Sequence, residues 1–302
     1  MGDSLKTDGV ASPNAHAVAA TPASLANYSF PESRLKTLND SRKTPLVLMA
    51  CGSFSPVTFL HLRLFEMAND YIKFSRTEFE VVGGYLSPVS DSYKKAGLAS
   101  AEHRLNMCEI ACQNSGFVMV DPWEAVQKEY QPTANGETSM STPTFPSSKR
   151  PVVLDHTENE INILRGGVAT LDGGRKHARI VLLAGADLIQ TMSTPGVWSH
   201  SDLDHILTRY GALVVERAGT DIEDSLATLS QWRENIWVVN QLVTNDVSST
   251  KVRLFKRRNM SIRYLIPAEV IDYIDEHHLF EDESHQNQSD AKGNAFSEPS
   301  KS

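Results

Sequence analysis

The chain has 302 residues, of which 40% are hydrophobic and 22% charged. This usage is typical of a globular protein and excludes a wholly disordered, collagen-like or coiled-coil chain. The formal net charge of −8 disfavours a nucleic-acid-binding surface, and the longest apolar runs fall far short of the roughly 20 residues that a membrane span needs.

The N-terminal segment, residues 1–44, is rich in Ala, Ser, Pro, Asn and Thr without a sustained hydrophobic period, so we expect a disordered tail. It lacks the apolar core of a secretory signal, and Lys6 stands where a myristoylation signal has Ser or Thr. We therefore expect an intracellular protein of the nucleus, the cytoplasm or both. The three cysteines, Cys51, Cys108 and Cys112, are too few for a disulfide framework and are expected to be reduced.

Short apolar runs alternate with helical patterns in the middle of the chain. LVLMAC precedes a predicted helix near residues 59–74, and FEVVGGY precedes one near residues 100–114. The later runs are FVMV, RIVLLAG, GALVVER and NIWVVN. Strands that are apolar throughout and separated by helices are typical of a parallel sheet covered on both faces. The sequence therefore predicts one α/β domain, residues 45–280, with a doubly wound parallel sheet.

Three segments depart from this alternation. Residues 135–151 (NGETSMSTPTFPSSKRP) are rich in Ser, Thr and Pro and are expected to form a surface insertion. Residues 268–279 carry apolar positions at helical spacing, which predicts a docked helix that closes the domain. Residues 281–302 are polar and are expected to form a second disordered tail.

The first chemical motif follows the first strand, in ACGSFSPVTFLHLR. Gly52, Ser53 and Pro56 predict a turn at the carboxyl edge of the sheet, where doubly wound folds bind ligands. Such a turn lets a phosphate approach the backbone, and His61 would point back toward it from the first turn of a helix. A histidine that only satisfies the helix start is the alternative. Neither a Walker loop nor a G-x-G-x-x-G pattern is present.

The second motif is NDVSSTKVRLFKRR, after NIWVVN. Ser248, Ser249 and Thr250 can cap a helix, while Lys251 and Arg253 place two cations in its first turn. One hydroxyl would suffice for capping, and cations there oppose the helix dipole by a few tenths to about 1 kcal/mol. A bound anion would reverse that effect. Alone the segment is typical of a solvated basic helix, but two phosphate-compatible helix starts in one domain weaken that interpretation.

Both motifs resemble known signatures. GSFSPVTFLH resembles G-x-F-x-P-[HT]-x-x-H of the nucleotidyltransferase superfamily, and VSSTKVR resembles its I-S-S-T-x-x-R signature. Together with SPVSDSYKKAGL, HR, VDPWE, LLAGADL, TPGVW and SIRYLIP, the chain resembles the eukaryotic nicotinamide mononucleotide adenylyltransferases over residues 46–280, apart from the insertion. The resemblance implies a Rossmann-like domain that condenses ATP with nicotinamide or nicotinate mononucleotide. The products would be NAD or its deamido form and pyrophosphate, with Mg²⁺ bound to phosphate.

The resemblance also implies roles for individual residues. His61 and Arg253 would be catalytic, through contacts with the ATP phosphates. Trp198 would stack on the pyridine ring, with Tyr130 on the other side where the family usually has Trp. The nucleotide-binding residues implied are Gly52, Ser53, Phe54, Lys95, Tyr130, Thr133, Gly185, Asp187, Trp198, Asn245, Ser249, Thr250 and Lys251. No metal ligand from the protein is expected.

Two other functions are compatible with the motifs. One is a related adenylyl- or cytidylyltransferase, against which the segments TPGVW and AGADL favour a pyridine nucleotide substrate. The other is a catalytically idle chaperone or interaction protein on the same scaffold, against which the presence of His61 and Arg253 argues. We expect a homo-oligomer that binds neither nucleic acid nor membrane.

Overall fold

The computed structural model describes residues 25–75, 77–128, 153–216 and 222–281. The strands of this part of the chain are β1 (Thr44–Gly52), β2 (Phe79–Pro88), β3 (Val118–Val120), β4 (Val168–Ala169), β5 (Arg175–Lys176), β6 (Arg179–Gly185), β7 (Ala212–Glu216) and β8 (Ile236–Asn240). The α-helices are α1 (Phe59–Phe74), α2 (Ala101–Cys112), α3 (Val153–Glu158), α4 (Ala186–Ser193), α5 (His200–Asp204), α6 (Glu223–Thr228), α7 (Ser249–Arg257) and α8 (Ala268–Glu276). None of these helices is long and apolar enough to cross a membrane.

Six of the strands form one parallel sheet in the order β3-β2-β1-β6-β7-β8. Helices cover both of its faces, because α1, α2, α7 and α8 pack into one apolar cluster and α3 to α6 into another. The strands are therefore buried on both sides, as their uninterrupted apolar runs require. The predicted doubly wound fold is confirmed, and β4 and β5 add a small antiparallel pair outside it.

The strand order reverses between β1 and β6. The chain builds outward from β1 through β2 to β3, and then from β6 through β7 to β8. Pairing of β1 with β2 continues to Gly52 opposite Pro88, whereas pairing of β1 with β6 ends at Met49 opposite Leu182. The ends of β1 and β6 therefore separate into a crevice, here called the switch-point crevice, at the position where open α/β sheets bind ligands.

The N-terminal segment differs from the expected tail over part of its length. Phe30 and Leu38 are buried in the core, and the Leu38 N–H donates to the Ala169 carbonyl. The Tyr85 hydroxyl donates to the Pro31 carbonyl. This segment is irregular, with turns and one isolated bridge from Leu38 to Thr170, and its apolar residues are irregularly spaced, so no hydrophobic period marks it. Residues 1–24, the predicted insertion at 135–151 and residues 282–302 lie outside the described residues.

The predicted helices begin close to where the sequence places them. The α1 and α2 helices start at residues 59 and 101, and Thr58 and Ser100 occupy the positions before their first turns. The closing helix α8 buries Val270, Ile271 and Ile274, the apolar residues that predicted it. It ends at Glu276, three residues earlier than predicted.

Candidate active site

Hydrogen bonds to backbone carbonyl groups fix the end of β1 and the turn that joins it to α1, residues 53–58. The Gly52 carbonyl accepts from the Val89 N–H at 3.0 Å, and the Ser53 carbonyl accepts from Arg104 Nη1 at 3.3 Å. In a trans peptide the N–H points opposite to the C=O. The Ser53 N–H therefore points away from β2, toward the switch-point crevice, and the Phe54 N–H points away from the Arg104 guanidinium.

The start of α7 docks on the same turn. The Ser249 hydroxyl donates to the Pro56 carbonyl at 2.8 Å, and Arg253 Nη1 donates to the Ser55 carbonyl at 2.6 Å. Arg253 Nη2 lies 3.4 Å from the Thr250 hydroxyl, whose residue is exposed. Two segments almost 200 residues apart thus form one surface.

His61 occupies the first turn of α1 with one ring nitrogen already engaged. Its Nδ1 lies 2.9 Å from the Thr58 backbone N–H and 2.9 Å from the Thr58 hydroxyl. A backbone N–H can only donate, so Nδ1 must accept, and the neutral ring carries its proton on Nε2. The edge of the ring also packs against Phe54, with the centroids 5.2 Å apart. The bonds to Thr58 therefore fix the orientation of the ring and place its proton on Nε2.

Phe54 restricts which residue can end β1. The φ of Phe54 is 43°, in the left-handed region that non-glycine residues rarely adopt, and the Phe54 side chain is buried. A Cβ atom on Gly52 would lie 3.1 Å from the Phe54 ring. Glycine at position 52 thus allows Phe54 to fold beneath the turn and support His61. This packing is the physical reason for the G-x-F spacing of the motif.

Arg253 lies beside a small cavity. The cavity, of about 250 Å³, is bounded by Gly97 to Ala99, by Arg253 and Arg257 of α7, and by the segment after α8. Burial lowers the pKa of Arg253, and the nearby charge of Arg257 lowers it further. An anion beside these two guanidinium groups would raise the pKa of Arg253 again, and the Glu281 carboxylate, which pairs with Lys256, also lines the cavity.

Three other predicted residues near α7 build the loop and the helix start. Ser248, not Ser249, caps the helix, since its hydroxyl accepts from the Lys251 N–H at 3.2 Å. The Lys251 ammonium pairs with the exposed Asp246 at 2.5 Å. The Asn245 side-chain oxygen accepts from the Val247 N–H at 3.0 Å. Asn245 thus supports the loop through its oxygen, whereas its amide nitrogen is a donor that this bond does not use.

A second group of predicted residues lies across the switch-point crevice, after β6. Gly185 precedes α4, and a Cβ atom there would meet no atom within 4 Å, so the end of β6 opens onto free space. Asp187 is exposed in the first turn of α4. Trp198 is half-buried, and its indole N–H donates to the Thr191 hydroxyl at 3.2 Å. Its ring is therefore held against α4 in a defined orientation.

Lys95 lies on the segment between β2 and α2, residues 89–100, here called the Lys95 loop. Its side chain is exposed, and Lys94 before it adopts a left-handed conformation with φ of 49°. Gly97 brings the loop next to Arg253, where a Cβ atom would lie 4.0 Å from Nε. Tyr130 and Thr133 lie outside the described residues.

Sequence reasoning assigned no binding or catalytic role to a group of buried polar residues at the ends of β2 and β3. Ser87 and Glu124 are fully buried, and the Ser87 hydroxyl donates to Glu124 Oε2 at 3.1 Å. Burial raises the pKa of Glu124 to about 8 and that of Asp121 to about 7. Glu124 Oε1 and Asp121 Oδ2 have no partner in the part of the chain that the structure describes. The sequence does carry a signal for these residues, because in FVMVDPWE acidic residues follow directly after an apolar strand.

The chain belongs to the cytidylyltransferase-like family, whose family model matches residues 49–255 and thus both signature segments. It is 50% identical over 274 residues to nicotinamide/nicotinic acid mononucleotide adenylyltransferase 2 of Saccharomyces cerevisiae, covering 89% of this chain and 65% of that one. The nicotinamide/nicotinic acid mononucleotide adenylyltransferase of Schizosaccharomyces pombe is 50% identical over 263 residues, which cover 85% of this chain and 67% of that one. Nicotinamide/nicotinic acid mononucleotide adenylyltransferase 1 of Bos taurus is 38% identical over 263 residues, which cover 82% of this chain and 93% of that one.

These relatives confirm the resemblance that the motifs indicated. The chain spans 65% of the length of the first Saccharomyces cerevisiae relative and 64% of the second. The matched region contains the 53–58 turn and the start of α7, the two segments whose hydrogen bonds build the candidate site.

Proposed function

We propose that the protein transfers the adenylyl group of ATP to nicotinamide mononucleotide or nicotinate mononucleotide, forming NAD or its deamido form and pyrophosphate. The observation that carries the proposal is the docking of α7 on the 53–58 turn, through Ser249 and Arg253. This docking brings the backbone amides of the turn, the His61 ring and a buried guanidinium to one edge of the sheet. All of these groups donate hydrogen bonds, as a polyphosphate requires.

The chemistry needs alignment and charge stabilisation more than acid–base catalysis. The 5′-phosphate of the mononucleotide is already an anionic nucleophile, so no base is required to create it. Holding it in line with the α-phosphorus and the leaving pyrophosphate can supply about 7–11 kcal/mol. Each donor directed at developing charge adds about 3–4 kcal/mol. In this proposal His61 Nε2 donates to an α- or β-phosphate oxygen, and Arg253 contacts the β- and γ-phosphates from its cavity.

The mononucleotide would occupy the other side of the switch-point crevice. Open space at Gly185 leaves room for its ribose, and Asp187 offers acceptors for ribose hydroxyls. Trp198 would support the cationic pyridine ring, because an indole face attracts a desolvated cation by about 0.5–2 kcal/mol. The bond from its N–H to Thr191 keeps that face in place. Tyr130 is proposed for the opposite face of the ring.

Mg²⁺ enters this proposal as the counter-ion of the ATP phosphates. In the described ranges no group of three His, Cys, Asp or Glu side chains could hold an ion. The side chains that build the candidate phosphate side are hydroxyl, imidazole and guanidinium groups. They fit an ion whose ligands are phosphate oxygens and water. When bound, the ion would neutralise part of the polyphosphate charge, and the protein groups would bind and align the nucleotide.

A substrate panel tests the proposal against its alternatives. ATP and CTP are each combined with nicotinamide or nicotinate mononucleotide, and the dinucleotide product is measured by chromatography, with His61→Ala as the control. We expect product from ATP with either mononucleotide and little from CTP. A preference for CTP would indicate a cytidylyltransferase. Binding of ATP and mononucleotide without any product would indicate an idle scaffold.

A further inference from the structure

Arg104, in the first turn of α2, is fully buried yet charged. Its guanidinium makes three hydrogen bonds, to the Ala99 carbonyl at 2.9 Å, the Ser53 carbonyl at 3.3 Å and Asp91 Oδ1 at 3.1 Å. Burying an arginine is costly unless its donors are satisfied. A side chain with this cost and three dispersed acceptors is an added link between the segments that carry those acceptors.

The three acceptors all border the candidate nucleotide site. Ser53 belongs to the 53–58 turn, whereas Asp91 and Ala99 lie near the two ends of the Lys95 loop. The loop is also joined to the turn directly, since the Ala99 N–H donates to the Ser55 hydroxyl at 2.9 Å. One guanidinium therefore fixes the turn and both ends of the loop relative to each other.

We propose that Arg104 is a positioning residue for the adenylyl transfer described above, on which this inference rests. It holds the Ser53–Phe54 peptide with its carbonyl toward the protein interior and its N–H toward the nucleotide. It also sets the position of the Lys95 loop over Arg253. Arg104 itself does not contact the substrate.

The orientation of this peptide needs such a restraint. Phe54 has a φ of 43°, a conformation that costs roughly 1–3 kcal/mol at a non-glycine residue and persists only where its surroundings enforce it. Rotation of the peptide would relieve that strain, and it would turn the Ser53 carbonyl oxygen toward an anionic phosphate. The bond from Arg104 Nη1 to that oxygen exists in only one of the two orientations.

Arg104→Lys is the most informative variant. It keeps the positive charge that faces the buried Glu124, but a single ammonium cannot satisfy three acceptors in a fixed fork. The matched control is Arg179→Lys at the first residue of β6, at the amino end of the parallel strands and so at the end of the sheet away from the candidate site. Arg179 is half-buried where Arg104 is fully buried, and it likewise donates to a backbone carbonyl, that of Tyr210, and to a side chain, that of Asn235.

We expect Arg104→Lys to lower kcat by about 10- to 100-fold, the usual cost of a small misplacement of aligned groups. The KM values should change by less than about 3-fold, and each variant is assayed below its own melting temperature, because loss of hydrogen bonds at the buried position 104 also lowers stability. Guanidinium ion added to Arg104→Ala should restore part of kcat by occupying the vacated space. An unchanged kcat in Arg104→Lys, or an equal loss in Arg179→Lys, would overturn the proposal.

A spectroscopic measurement separates this inference from the proposed function. In ¹⁵N-labelled protein, ATP should shift the Phe54 amide resonance in the wild type and in Arg179→Lys, and shift it much less in Arg104→Lys. If that difference is found while the wild type makes no dinucleotide, the positioning of the amide stands and the proposed function fails. If the wild type is active and the Phe54 amide responds equally in all three proteins, the positioning role is refuted.

Discussion

The His61 ring provides the sharpest test of how the 53–58 turn works. His61→Ala removes the Nε2 donor, and loss of one donor directed at developing charge costs about 2.7–4 kcal/mol, or 10²- to 10³-fold in kcat. The matched variant is Thr58→Val, which removes the hydroxyl but keeps the backbone N–H that donates to Nδ1 at 2.9 Å. Because that N–H alone fixes the tautomer, Thr58→Val should lose less than about 10-fold.

Steady-state kinetics with saturating ATP and mononucleotide measures both variants, and thermal unfolding shows whether each remains folded. Thr58 precedes the first turn of α1, so its replacement should lower stability by roughly 0.5–2 kcal/mol without abolishing folding. Near wild-type turnover in His61→Ala would remove His61 from the catalytic residues. Equal losses in both folded variants would show that the hydroxyl, and not the backbone N–H, orients the ring.

Three further predictions concern other parts of the site. Arg253→Ala should weaken ATP binding more than mononucleotide binding in calorimetric titrations; equal losses would contradict its placement beside the polyphosphate. Trp198→Ala should raise KM about 10-fold for both mononucleotides, equivalent to roughly 1.4 kcal/mol, and leave KM for ATP unchanged; an equal rise for ATP would make Trp198 a loop anchor only. The folded-state pKa of Glu124 is raised to about 8, so its contribution to stability should be lost as pH rises from about 4.5 to 8. The melting temperature of Glu124→Gln should therefore decline less with pH over that range than that of the wild type. Parallel plots of melting temperature against pH for the two proteins would exclude an effect of this carboxyl.

The sheet and the position of the site could be predicted because local patterns determine them. Strands that are apolar throughout indicate burial on both faces, and Gly52 with Pro56 marks the turn that follows β1. Neither inference depends on a partner elsewhere in the chain. Both signature segments are therefore recognisable without knowing that Ser249 contacts the Pro56 carbonyl.

The contacts between distant segments could not be predicted in the same way. Ser248, Ser249 and Thr250 are equivalent as helix caps by residue type, yet Ser248 caps α7 and Ser249 bonds to a carbonyl 193 residues away. Arg104 shows no signal of burial, because an arginine in the first turn of a helix is usually solvated. Such roles depend on tertiary packing, which brings donors and acceptors together regardless of local pattern.

Adenylyl transfer is tested most directly by the stoichiometry of the reaction that the wild-type protein catalyses. ATP and nicotinamide mononucleotide are mixed with Mg²⁺, and pyrophosphate and NAD are measured in the same time course. If adenylyl transfer occurs, the two products appear at equal rates and neither forms when the mononucleotide is omitted. Pyrophosphate released without NAD, or no release while both nucleotides bind, would contradict adenylyl transfer at this site.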